Sequence, residues 1–129
     1  MKRDLKTSLA LLILRVGSGA MMLTHGIPKV MRLFSGNEIK FADPFGLGPI
    51  VSLVLAASAE VICAVLIMVG FKTRFAVVPL IITMLTAAFY AHWNDPFARK
   101  ELPLLYAVIF IGLLLTGSGK YSLDGMKRR

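Results

Sequence analysis

The chain has 129 residues, 57% hydrophobic and 17% charged, with a formal net charge of +8 and a mean hydropathy of +0.74. That balance excludes an ordinary soluble domain and points to a polytopic membrane protein. The positive charge follows the connections between apolar segments and forms no stripe with interleaved aromatics, which argues against nucleic-acid binding.

The first apolar segment, Leu9 to Leu33, predicts a helix over about residues 7–33. Its basic start, Met1 to Lys6, resembles a secretory signal with Ser18-Gly19-Ala20 as a cleavage site. Arg15 breaks the apolar run early, however, and the helical pattern continues to Lys29, so the segment is expected to remain. Gly19, Met22 and Gly26 give this helix a small-residue packing face that also carries Arg15 and Lys29. The connection that follows, Phe34 to Pro49, mixes turn formers with apolar side chains and suits a loop resting on the membrane surface.

The second segment, Ile50 to Phe71, predicts a helix over about residues 50–71, with Ala56, Glu60 and Ala64 at a four-residue spacing. Cys63, the only cysteine, excludes an intramolecular disulfide and reads as a small buried hydrophobe. A short link, Gly70-Phe71-Lys72-Thr73-Arg74, makes the second and third helices antiparallel neighbours. The third helix is expected over about residues 74–93, ended by Asn94-Asp95-Pro96. The fourth is expected over about 102–117, with Pro103 in its first turn.

The fold expected is thus all-α: one domain over residues 1–129, a membrane-spanning antiparallel four-helix bundle. Lys and Arg are more frequent at the amino terminus, the second connection and the carboxyl terminus, which puts both termini in the cytoplasm.

Ionisable residues inside such segments are costly in lipid and need a partner, a cavity or a function. Arg15 lies about 12 Å along the first helix from Thr7, and Glu60 about 15 Å back from Gly70, which predicts an ion pair in an inner layer. Such a pair either locks helix register or lines a ligand cavity. His25 and His92 both fall about 27 Å along their helices. They are expected to form an outer cluster with Lys29 and Glu101, with Tyr90 and Trp93 at the rim. That cluster reads either as a proton relay or as an interfacial belt. No metal or haem site is expected, because the chain has two histidines and no Cys-x-x-Cys-His sequence. No nucleophile elbow, phosphate loop or zinc-ligand spacing is present.

Certain pieces resemble the DoxX family of small four-helix membrane proteins. They are Arg15 and Gly17, His25-Gly26-Ile27-Pro28-Lys29, Glu60 leading to Gly70-Phe71-Lys72-Thr73-Arg74, and His92-Trp93 followed by Glu101. The tail Thr116-Gly117-Ser118-Gly119-Lys120-Tyr121-Ser122-Leu123-Asp124 is the most specific, although Ser118 stands where the family often has proline. The resemblance implies a multi-pass protein of a prokaryotic inner membrane. The family takes its name from a quinol oxidase of acid-tolerant archaea, some bacterial members are linked to oxidoreductase assemblies that defend against thiol and peroxide stress, and many members have no assigned activity.

Three functions follow. The first is a redox-linked subunit that binds a quinone or similar lipid-soluble ligand between the helices, with His25 and His92 as proton donors, Lys29 and Glu101 as tuning charges, and electrons from an oxidoreductase partner. The second is a non-enzymatic scaffold or assembly factor whose buried charges set helix register. The third is a proton-coupled transporter, for which four helices leave little room unless the chain forms homo-oligomers.

Overall fold

The computed structural model describes residues 2–36, 39, 41 and 43–127. Of the expected surface loop, Asn37, Glu38, Lys40 and Ala42 lie outside the described residues, as do Arg128 and Arg129 of the basic carboxyl terminus.

All regular structure among the described residues is helical. Helix α1 covers Lys2–Leu33, α2 Pro49–Val69 and α3 Thr73–Ala91, α4 Phe97–Thr116, and a short α5 Leu123–Lys127. Three of them, α1 to α3, are long and apolar enough to cross a membrane. Apolar side chains also cover the outside: Ile13, Phe75, Val108 and Leu115 are all well exposed. Water does not tolerate so much contiguous apolar surface, whereas lipid does.

Two helix starts differ from expectation. Helix α1 begins at Lys2, because its opening residues include no glycine or proline, and Lys2, Arg3, Leu5 and Lys6 rank as good helix formers. Helix α4 begins at Phe97, with Pro96 in extended conformation (φ −61°, ψ 156°) as its N-cap. Pro103 therefore lies inside α4, not in its first turn.

The small-residue face of α1 is buried against α2, and two glycines set the register. A Cβ on Gly19 would lie 2.9 Å from the Ala64 carbonyl oxygen, and one on Gly26 would lie 2.9 Å from the Glu60 Cβ. Backbones approach there because no side chain intervenes. Helix α3 packs most extensively on α4, while α1 and α4 meet over a smaller area. The core between them holds Met22, Ile67, Val77, Leu80, Phe110 and Leu113, each at most 1% exposed.

Two π-helical turns interrupt the regular ladder, Ala59–Cys63 in α2 and Ala87–Ala91 at the end of α3. Such turns widen the helix and are frequent at functional sites. The first contains Glu60.

Candidate functional site

The described residues form no Arg15–Glu60 ion pair. Arg15 is fully buried, and its guanidinium donates to three main-chain carbonyls: Ile67 at 3.1 Å, Met68 at 3.2 Å, and Tyr121. Two of these acceptors belong to the last turn of α2, where the Ile67 carbonyl also accepts from the Gly70 N–H at 3.2 Å. The third belongs to the carboxyl-terminal tail, so Arg15 ties three parts of the chain together.

The same junction contains Asp124. Its carboxylate accepts from the Lys72 N–H at 2.9 Å and the Thr73 N–H at 3.2 Å, capping α3. Its own N–H donates to the Gly70 carbonyl at 2.9 Å. Gly70 adopts the left-handed conformation (φ 74°), and a Cβ there would meet the Ser122 Cβ at 2.2 Å. The two buried side-chain polar atoms without a hydrogen-bond partner among the described residues, Arg15 Nε and Thr73 Oγ1, both belong to this junction.

Glu60 pairs with Lys29 instead. The ammonium lies 2.6 Å from both carboxylate oxygens; Glu60 is 1% exposed and the Lys29 side chain 24%. A depth count that starts α1 at Thr7 puts Arg15 opposite Glu60. The glycine contacts shift the register by about ten residues, or about 15 Å, which brings Lys29 to Glu60 and Arg15 to the α2–α3 turn.

Beside this pair sit Tyr106 and His25. Their rings meet edge to face with centroids 5.8 Å apart, and Tyr106 also stacks on Phe110 at 5.9 Å. Tyr106 is only 5% exposed. It lines an apolar cleft of about 200 Å³ between α1 and α4, together with Ile13, Leu14, Met21, Leu105 and Ile109. Its hydroxyl makes no hydrogen bond to the described residues.

The expected outer cluster is not assembled. His25 meets Tyr106 and Lys29 meets Glu60, whereas His92 Nδ1 lies 2.7 Å from the Asp95 carboxylate three residues on. Glu101 is exposed and makes no ion pair among the described residues. Tyr90 donates to the Asp43 carbonyl at 3.3 Å. Trp93 accepts a hydrogen bond from Lys100 at 2.9 Å on its carbonyl, and the same ammonium lies over its ring at 5.3 Å. The early start of α4 explains part of this, because it carries Glu101 about one helical turn past the end of the connection.

Sequence reasoning missed Tyr106, Asp43 and Asp124. A tyrosine in an apolar helix carries little signal by itself, whereas Asp43 could have been found as an acidic residue shortly before a helix start. Its carboxylate accepts from the Leu47 and Gly48 N–H groups, each at 2.9 Å, and from the Ser52 hydroxyl at 3.1 Å. Desolvation acts to raise the Asp43 pKa, but these bonds together outweigh it and hold the carboxyl below its ordinary range. No group of three or more His, Cys, Asp or Glu among the described residues is placed to hold a metal ion.

Two of the proteins similar to this chain are named as membrane proteins. Inner membrane protein YphA of Escherichia coli is 32% identical over 123 residues, covering 88% of this chain and 87% of its own length. An uncharacterized membrane protein of Mycobacterium tuberculosis is 27% identical over 140 residues, covering 89% and 79%. An uncharacterized protein of Haemophilus influenzae is 28% identical over 130 residues, covering 95% and 86%. No solved structure matches the chain. The DoxX sequence model matches residues 10–93, from α1 through the Glu60 turn to the end of α3, and the chain is an integral membrane protein belonging to the DoxX family.

Proposed function

We propose that this protein holds a lipid-soluble carrier of the quinone class for an oxidoreductase partner, with the carrier's ring in the cleft between α1 and α4. The observation that carries this reading is Tyr106, a buried residue whose hydroxyl has no hydrogen-bond partner among the described residues, at the edge of an apolar cleft and beside the Lys29–Glu60 pair. A ring carbonyl would accept from that hydroxyl, while the apolar lining takes the ring and its tail. His25, edge-on to Tyr106, would exchange protons with the bound head group. In this reading the chain crosses the membrane four times with both termini cytoplasmic. Support comes from the nine Lys and Arg on the terminal side against five on the other, counted from the sequence without Arg15.

The test is thermal stability of the full chain in lipid nanodiscs with and without a short-chain quinone. The expected result is a stabilisation by quinone that Tyr106→Phe reduces and Leu105→Trp, which fills the cleft, abolishes. A quinone response equal in wild type and both variants overturns the proposal. The scaffold reading draws on one observation, the mutual satisfaction of Lys29 and Glu60, and it predicts no quinone response in any of the three.

A further inference from the structure

The turn between α2 and α3 and the tail after α4 join into one basic end of the molecule. Asp124 joins them through its bonds to Gly70, Lys72 and Thr73. Arg74 packs on Gly117, where a Cβ would come within 3.3 Å of the guanidinium Nε. Lys72, Arg74 and Lys120 are all exposed there. None of the three forms an ion pair with the described residues, since those pairs are Lys29–Glu60 and His92–Asp95. Lys72 holds the left-handed conformation (φ 49°) that its Asp124 bond maintains, an arrangement that side chains with a Cβ rarely adopt.

A second, independent feature accompanies the charge. Phe75, Tyr121, Leu123 and Met126 are exposed apolar or aromatic side chains on the same turn and tail. Cations interleaved with exposed apolar groups match the boundary between phospholipid head groups and acyl chains, where the apolar groups enter and the cations remain at phosphate level. A guanidinium suits a phosphate because its fork of donors matches the oxygen geometry, and the two ammonium groups add point charges.

We propose that Lys72, Arg74 and Lys120 bind the phosphate of an anionic phospholipid, whose acyl chains lie against Phe75 and the tail. The assignment does not depend on what occupies the α1–α4 cleft. The test is native mass spectrometry of the full chain released from nanodiscs that contain equal amounts of phosphatidylglycerol and phosphatidylcholine. Wild type is expected to retain phosphatidylglycerol preferentially, and Arg74→Gln with Lys120→Gln is expected to lower that retention by more than about tenfold, at roughly fivefold per charge. Should Arg74→Gln lower folded yield, Lys72→Gln with Lys120→Gln carries the same expectation. Retention without preference for the anionic lipid, or unchanged in the variants, overturns the proposal. Displacement of the lipid by millimolar inorganic phosphate assigns the site to a soluble anion and overturns it as well.

Discussion

The Lys29 ammonium contacts both oxygens of the Glu60 carboxylate at 2.6 Å, while the fully buried Arg15 holds main-chain carbonyls at the far end of α2. Two cations on one helix therefore have different tasks. One neutralises a buried acid, and the other closes a helix end.

The pairing makes an asymmetric prediction. Glu60→Gln leaves Lys29 partly exposed and able to extend toward water, so the loss should be about 2 kcal/mol. Lys29→Met strands a carboxylate that is 1% exposed and should cost about 3 to 5 kcal/mol. A double-mutant cycle by denaturant unfolding in micelles should give a coupling above about 1 kcal/mol for Glu60 with Lys29, and near zero for Glu60 with Arg15. Comparable coupling in both cycles would disprove the assignment.

Arg15→Lys keeps the charge but loses the planar fork that reaches carbonyls on two chain segments. Stability should fall by about 1 to 3 kcal/mol. Amide exchange over residues 117–125 should quicken, because Tyr121 loses the donor that anchors the tail. An unchanged exchange profile would show that the tail is held by other contacts.

Glycine substitutions should divide by position. Gly70→Ala forces a Cβ into the left-handed region and to 2.2 Å from Ser122, so at least about 2 kcal/mol should be lost. Gly112 lies inside α4, and the place a methyl group would take there has nothing within 4 Å. Gly112→Ala should be neutral or stabilising by up to about 1 kcal/mol. Thermal unfolding of both variants in the same detergent checks the contrast.

Asp43 makes a pH prediction. Its folded pKa lies below the ordinary carboxylate value, so the unfolded chain takes up the proton more readily. The stabilisation is present above a pH of about 4 and is lost as pH falls through the folded value. Asp43→Asn should lack this component. Melting curves from neutral to acid pH should show wild type and variant converging at the acid end; a constant gap would refute the linkage.

Chain composition and apolar runs determined that this is a helical membrane protein, and the boundaries of α2 and α3 were readable because glycine and proline mark their ends. The importance of Arg15, His25, Lys29 and Glu60 was also legible, since ionisable groups in apolar helices require partners. Their partners were not. Only the packed helices decided them, because Gly19 and Gly26 admit one close register of α1 on α2, and a shift of about 15 Å along the axis exchanges every pairing. Tyr106 and Asp124 became site and junction residues for the same reason: each acts on groups far away in sequence, and tertiary contacts alone bring them together.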